Sequence, residues 1–241
     1  MGNLHKGHMA LIDKAKSYDS HVSASIFINP LQFNDASDFK NYPKSLDDDI
    51  ALLSKHGCDS LFVPDSSILD NIKEIKAPDT ALYLCGMNRP GHFDGVLTIV
   101  NKLFEITKPT RSFFGKKDFQ QLTLIKNFVI ENNLPIEIIS VDTVRELNGL
   151  AMSSRNNRLS EFDREKASKL YETLSLIKDN LSNLSNKIIK SYKDELTKKG
   201  FDVHYLTVCN PMTLKDLGDF NSKPILVAIA ASISGIRLID N

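Results

Sequence analysis

His21-Val22-Ser23-Ala24-Ser25-Ile26-Phe27-Ile28 is a short run rich in apolar residues, stopped by Asn29-Pro30. Proline has no N–H to offer a ladder, so the run ends there and reads as a strand buried on both faces. The same pattern extends outward from it. Leu46 to His56 has helical periodicity, with Ser45 at the N-cap position and Gly57 just past its end. Ser60 to Val63 is a second apolar run closed by Pro64, and Gly95 to Thr107 is a helix stopping before Pro109. Arg111 to Phe114 reads as a third strand, Phe119 to Asn132 as a helix and Ile136 to Val141 as a fourth strand. Short apolar strands alternating with helices predict an α/β fold with a mainly parallel sheet covered on both faces.

The later part of the chain has another character. Ser160-Glu161-Phe162-Asp163 is a capping signal opening a helix to about Leu181, and Asn186 to Lys199 is a second helix ended by Gly200. Strand candidates follow at Val203 to Val208, Ile225 to Ala230 and Ile236 to Ile239. Helices followed by consecutive strands predict a small α+β domain with an antiparallel sheet. The boundary falls in the loop Glu146-Leu147-Asn148-Gly149, giving domains of residues 1–146 and 147–241.

Ligands of parallel sheets bind beyond the carboxyl ends of the strands. Polar residues gather at those ends: Asn29 and Gln32, then Asp65, then Lys116, Lys117 and Asp118, then Arg145. Any one of them is ordinary for a solvated loop, but together they mark a rim. Ahead of the first strand stands Met1-Gly2-Asn3-Leu4-His5-Lys6-Gly7-His8, followed by an amphipathic run from Met9 to Lys16. Glycines that let backbone approach a ligand, placed at a helix start, suit an anion. The imidazoles add donors, although a His-x-x-His spacing also occurs in metal sites and on solvated helices.

Composition narrows the function classes. The 241 residues carry 30 Lys plus Arg against 30 Asp plus Glu, so no net field draws the chain to nucleic acid or to an acidic membrane. Cys58, Cys85 and Cys209 form no Cys-x-x-Cys pair and fit reduced cytoplasmic thiols better than a disulfide framework or a zinc site. No signal peptide and no apolar run of membrane-spanning length is seen, so neither secretion nor a membrane partner is expected.

Seven segments carry a resemblance. They are residues 1–8, Ile26 to Phe33, Tyr42-Pro43-Lys44, Arg89 to Val96, Phe114 to Gln121, Met152 to Asn156 and Arg237 to Asn241. In order and spacing the chain resembles the pantoate:β-alanine ligases, the pantothenate synthetase family of the nucleotidylyltransferase superfamily. The resemblance implies a Rossmann-like nucleotide- and pantoate-binding domain over residues 1–146 and a C-terminal α+β lid domain over 147–241. It implies ATP-dependent condensation of pantoate with β-alanine through a pantoyl adenylate, releasing pyrophosphate and AMP, in a cytoplasmic homodimer.

It also implies residue roles. Met1, Gly2, Asn3, Leu4, His5, Lys6, Gly7 and His8 would line the nucleotide, with His5 and His8 beside the phosphates and His8 as proton donor. Gly115, Lys116, Lys117 and Asp118 would form the nucleotide loop, Lys117 meeting the transferring phosphoryl group and Asp118 the ribose. Val144 would meet the adenine through its backbone. Met152, Ser153, Ser154 and Arg155 would close over the β and γ phosphates, the last three acting catalytically. Gln32 and Gln121, helped by Asn29 and Arg89, would bind pantoate, whose hydroxyls and carboxylate suit amides. Arg89 and His92 would either line the site or brace the dimer and the adjacent loop. Mg2+ would ride mainly on phosphate oxygens, near Asp48 and Asp49, which are equally well explained as acids in a helix first turn.

The chain departs from the family pattern in places. Cys85 and Asn88 stand where Glu and Ser are usual, and Lys116 replaces a Glu. The family also carries a strand ending in Pro-Thr ahead of the histidine motif. Met1 is therefore expected to be an internal methionine or a boundary, and a form extended upstream is expected to be more stable. Two alternatives stay open at this point. One is an N-terminally truncated, inactive form that keeps nucleotide binding or dimerisation; the other is a different small-molecule adenylyltransferase, which would share the histidine turn but would not need Gln32, Gln121 and Arg89-Pro90-Gly91-His92-Phe93 together.

Overall fold

His5 starts the first helix. Its extended backbone and ring nitrogen cap Lys6–Lys16, here α1, and this helix buries Met9, Ile12 and Ala15 along one face. These pack with Val22, Ile26 and Leu53, and Phe113 lies against the same cluster. The computed structural model describes residues 1–18, 21–218, 220 and 224–241. It divides into two units, Met1–Lys116 with Gln120–Asp142, and Lys117–Phe119 with Thr143–Asn241.

After α1, the first unit runs β1 (Ser23–Ser25), α2 (Ala36–Lys40), α3 (Leu46–Lys55), β2 (Ser60–Phe62), α4 (His92–Thr107), β3 (Arg111–Gly115), α5 (Phe119–Glu131) and β4 (Glu137–Val141). β1 pairs with β2 and β3 with β4, both in parallel. The chain is thus α/β, as its alternation of elements predicts. Two expectations need correcting. Among the described residues the parallel strands form two separate two-stranded pairs rather than one sheet. The strand expected over residues 21–28 is shorter, Ser23–Ser25 with flanking bonds at Val22 and Ile26, and both serines are exposed.

The reason is local. β1 is bonded along one edge, and at its start the Asp59 carboxylate accepts the Val22 amide at 2.7 Å while Asp59 N–H donates to Val22 O at 2.8 Å. Ser23 and Ser25, two residues apart, share one face of β1, and that face is exposed while Ala24 on the other is partly covered.

The second unit holds α6 (Glu161–Ala167), α7 (Lys169–Asp179), α8 (Asn186–Lys198), β5 (Asp202–Cys209), β6 (Leu226–Ile233) and β7 (Ile236–Asp240). The strands form an antiparallel sheet with β6 in the middle. β6 is buried along nearly its whole length, and Leu170, Ile177, Leu196, Leu206 and Leu238 close the core around it. Ser234 and Gly235 turn β6 into β7 with φ of 49° and 75°, the left-handed pair that a two-residue hairpin requires.

The single helix expected from Ser160 to Leu181 is two. Ser168 Oγ donates to the Glu165 carbonyl at 2.6 Å, and this local bond competes with the helical ladder. None of Cys58, Cys85 and Cys209 is in a disulfide, and burial pushes the pKa of the Cys209 thiol up to about 12. Among the described residues no helix is long and apolar enough to cross a membrane.

Candidate active site

The turn ahead of α1 is held by one carboxylate. Gly2 and Asn3 take φ of 83° and 51°, successive left-handed conformations that fold the backbone toward α3. A Cβ on Gly2 would stand 2.9 Å from Asp49 Oδ2, so the glycine is needed for approach as well as for conformation. Asp49, 2% exposed, accepts the Asn3 amide at 2.9 Å and the Leu4 amide at 2.7 Å. Ser45 Oγ accepts the Asn3 amide at 3.1 Å and lies 3.3 Å from Asp49 Oδ2. The N-cap position expected of Ser45 is right, but its hydroxyl serves this turn and makes no cap bond to α3.

His5 and His8 form a reciprocal cap. Gly7 N–H donates to His5 Nδ1 at 3.1 Å, His5 N–H donates to His8 Nδ1 at 3.2 Å, and the rings lie 4.1 Å apart. A ring nitrogen that accepts carries no proton. In each neutral ring the hydrogen therefore resides on Nε2, giving two N–H donors beside the positive end of a helix.

Gln32 is braced from behind. Asn29, 1% exposed, caps the 3-10 turn Pro30–Gln32 by accepting the Leu31 amide at 3.2 Å. Its Nδ2 donates to Gly95 O at 2.9 Å and to Gln32 Oε1 at 3.1 Å, fixing which end of the Gln32 amide faces outward. The Gln32 carbonyl accepts from His92 Nδ1 at 2.7 Å and Arg89 Nη2 at 3.2 Å. Arg89 Nη1 stands 3.0 Å from His92 Nε2, so His92 donates at one nitrogen and accepts at the other. Of the two roles open to Arg89 and His92, these contacts are of the bracing kind.

Gln120 was not singled out by sequence, yet it is buried and holds the loop before α4. Its Oε1 accepts the Cys85 amide at 2.9 Å and its Nε2 donates to Tyr83 O at 2.7 Å and Thr80 O at 3.1 Å. Gln121, next along α5, is half-buried. Lys116 lies 2.6 Å from Asp142, an ion pair that holds the Asp142 carboxyl below the usual carboxylate range.

In the second unit, Lys117 sits in the 3-10 turn Lys116–Asp118, its side chain 18% exposed and its Nζ 3.5 Å from Asp118 Oδ1. Val144 to Met152 is a hairpin: Met152 N–H donates to Val144 O at 2.9 Å, Arg145 pairs with Ala151, and Glu146 N–H donates to Leu150 O at 2.8 Å. The hairpin delivers Ser153, which caps the next 3-10 turn by accepting the Arg155 amide at 3.2 Å. Asn156 anchors that turn by donating to Glu146 Oε1 at 2.7 Å and Ala151 O at 3.1 Å. Glu146 is gripped in turn by Arg164 at 2.6 and 2.9 Å, and this bond raises the Arg164 pKa. Sequence reading also missed Glu146 and Arg164. An Asn three residues past the first serine of the loop was the only hint.

The acids do not assemble a cation site. Asp48 is exposed, Asp49 spends both oxygens on backbone amides, and among the described residues no group of three or more His, Cys, Asp or Glu is placed to hold a metal.

A sequence model of the family described as pantoate-beta-alanine ligase matches residues 1–241. Over 247 residues the chain is 41% identical to a pantothenate synthetase of Acinetobacter baylyi, covering all of this chain and 87% of that protein. It is 42% identical over 249 residues to one of Shewanella loihica, covering 88% of it. The structure superposes on a pantothenate synthetase of Thermus thermophilus with a TM-score of 0.92 and 38% identity, covering all of this chain and 89% of that one. A pantoate-beta-alanine ligase of Francisella tularensis, solved with β-γ ATP and β-alanine, matches at a TM-score of 0.82 and 37% identity, over 85% of its chain. Matched from its first residue to its last by the family's model, and at such identity to its members, the chain belongs to the pantoate-beta-alanine ligase family.

Proposed function

We propose that this chain joins pantoate to β-alanine at the expense of ATP, in two steps. A pantoate carboxylate oxygen attacks the α-phosphorus; the new P–O bond forms as the bond to the bridging oxygen breaks, and pyrophosphate leaves with that electron pair. The β-alanine amine then attacks the acyl carbon, loses a proton and expels AMP. The observation that carries this reading is the His5–His8 turn, whose backbone is fixed by Asp49 and whose rings each keep Nε2–H as a donor.

Each residue's part follows from its chemistry. Negative charge grows on the phosphate oxygens as pyrophosphate departs, and fixed donors in a water-poor site stabilise it without reorganising. His5 and His8 supply such donors, and Lys117 supplies a full charge to the transferring phosphoryl group. Ser153, Ser154 and Arg155 close over the β and γ phosphates, the serines as hydroxyl donors and Arg155 with its charge. Gln32 and Gln121 orient pantoate, with Asn29 setting the Gln32 amide. Mg2+ would enter with ATP, held mainly by phosphate oxygens and water, because it gives up its hydration reluctantly.

The test is pantoate-dependent exchange of labelled pyrophosphate into ATP. This assay reports the first step alone and needs no β-alanine. Exchange that requires pantoate supports the reading; exchange with another acceptor, or none, overturns it.

A further inference from the structure

Lys117 is a long, flexible side chain on a turn of only three residues, so its reach is set by how firmly its backbone is held. That hold comes from 124 residues away. Asn241 Nδ2 donates to the Lys117 carbonyl at 3.0 Å.

Asn241 is itself fixed. Its N–H donates to Asp240 Oδ1 at 2.8 Å, and the nearly buried Asp240 carboxylate is gripped bidentately by Arg145, at 2.5 and 2.9 Å. Arg145 also donates to Gly149 O at 3.1 Å and lies 3.7 Å from the centre of the Tyr171 ring. A Cβ on Gly149 would meet Tyr171 at 2.6 Å, so the glycine is what lets the ring reach the guanidinium. Arg145 is bridged to Ala151, two residues before Ser153. One buried ion pair thus stands behind both the Lys117 turn and the hairpin that delivers Ser153.

We propose that Asn241, fixed by the Asp240–Arg145 pair, is a positioning residue that sets the Lys117 backbone for attack at the α-phosphorus. This inference rests on the reading of Lys117 as the group that meets the transferring phosphoryl. Asn241 touches no substrate in this scheme; it acts through the Lys117 carbonyl. Displacement of a reacting group by even about 1 Å is costly in rate, which is why a remote hydrogen bond can matter here.

The test is a double-mutant cycle on the full chain. Asn241→Asp keeps the side-chain volume but replaces the donor with an acceptor, and Asn241→Ala removes both. Each is made alone and with Lys117→Ala, and kcat and KM for ATP and pantoate are read by pyrophosphate exchange, with a urea midpoint for each protein. Asn241→Asp is expected to lower kcat about tenfold with little change in pantoate KM. In the Lys117→Ala background the same change is expected to alter the residual rate by no more than about twofold. Equal fold-losses in both backgrounds, or full activity of Asn241→Asp, overturn the inference while leaving the role of Lys117 intact. Full exchange by Lys117→Ala overturns that role instead, and the inference with it. Should Asn241→Asp fail to fold, Asn241→Ala carries the same comparison.

Discussion

The carboxylate of Asp49 accepts the Leu4 amide at 2.7 Å, tying the first turn of one helix to the backbone that leads into another. Its other oxygen takes the Asn3 amide, so the residue has no idle acceptor facing the turn. Asp49→Asn would set an NH2 against an N–H. The expected cost is about 1 to 3 kcal/mol of stability, from leaving a buried donor unpaired. Asp48→Asn, on the exposed side of the same helical turn, is expected to stay within about 0.5 kcal/mol of the parent. Urea midpoints of the two variants measure the contrast, and similar losses would show that Asp49 is not the anchor.

Neighbouring glutamines on α5 are expected to respond differently to truncation. Gln120→Ala removes the bonds to the Cys85 amide and to the Tyr83 and Thr80 carbonyls, and is expected to lower stability by about 1 to 3 kcal/mol. Gln121→Ala is expected to leave the urea midpoint near that of the parent and to weaken pantoate binding far more than ATP binding. Titration calorimetry with each ligand, beside the urea curves, separates the two. A pantoate affinity unchanged in Gln121→Ala would remove it from the substrate site.

The order of strands and helices was legible because proline and glycine punctuate it. Pro30, Pro64 and Pro109 mark the ends of runs, and Gly57 and Gly200 follow helices. What was not legible was pairing. Whether His21 to Ile28 becomes a long covered strand depends on what lies along both its edges, and periodicity within the run is silent on that. The break at Ser168 was hidden for a similar reason, since one hydroxyl chose the Glu165 carbonyl within an otherwise helical pattern.

The candidate site residues stood out in the sequence by their motifs, and the groups that brace them did not. His5, His8, Gln32 and Lys117 belong to motifs, and motifs preserve spacing along the chain. Asp49, Gln120 and Asn241 act on backbone 45, 35 and 124 residues away respectively, through bonds that only the folded chain brings together. Glu146 is one step further removed, since it reaches the serine turn through the Asn156 amide, which also holds the Ala151 carbonyl.

The Arg89–His92 pair offers a sharper test of positioning. Both donate to the Gln32 carbonyl from behind, so removing either leaves the Gln32 side-chain amide in place on a looser turn. His92→Ala is expected to raise pantoate KM by about tenfold, the scale of one hydrogen bond, with ATP KM nearly unchanged. His92→Asn, whose Nδ2 keeps a donor in reach of the carbonyl, is expected to recover part of that loss. Steady-state kinetics with each substrate varied in turn would reveal the split, and equal rises in both KM values would contradict a role confined to Gln32.

The account stands most directly on the histidine turn. His8→Ala removes a ring that donates from Nε2 while its Nδ1 caps His5, and the decisive measurement is pantoate-dependent pyrophosphate exchange by this variant and by the parent chain. The expected result is a loss of about 10² to 10³ in rate, the scale of one well-placed transition-state donor, with the fold retained by circular dichroism. Exchange within about twofold of the parent, on the same scale of reasoning, would contradict the assignment of this turn to the reacting phosphates.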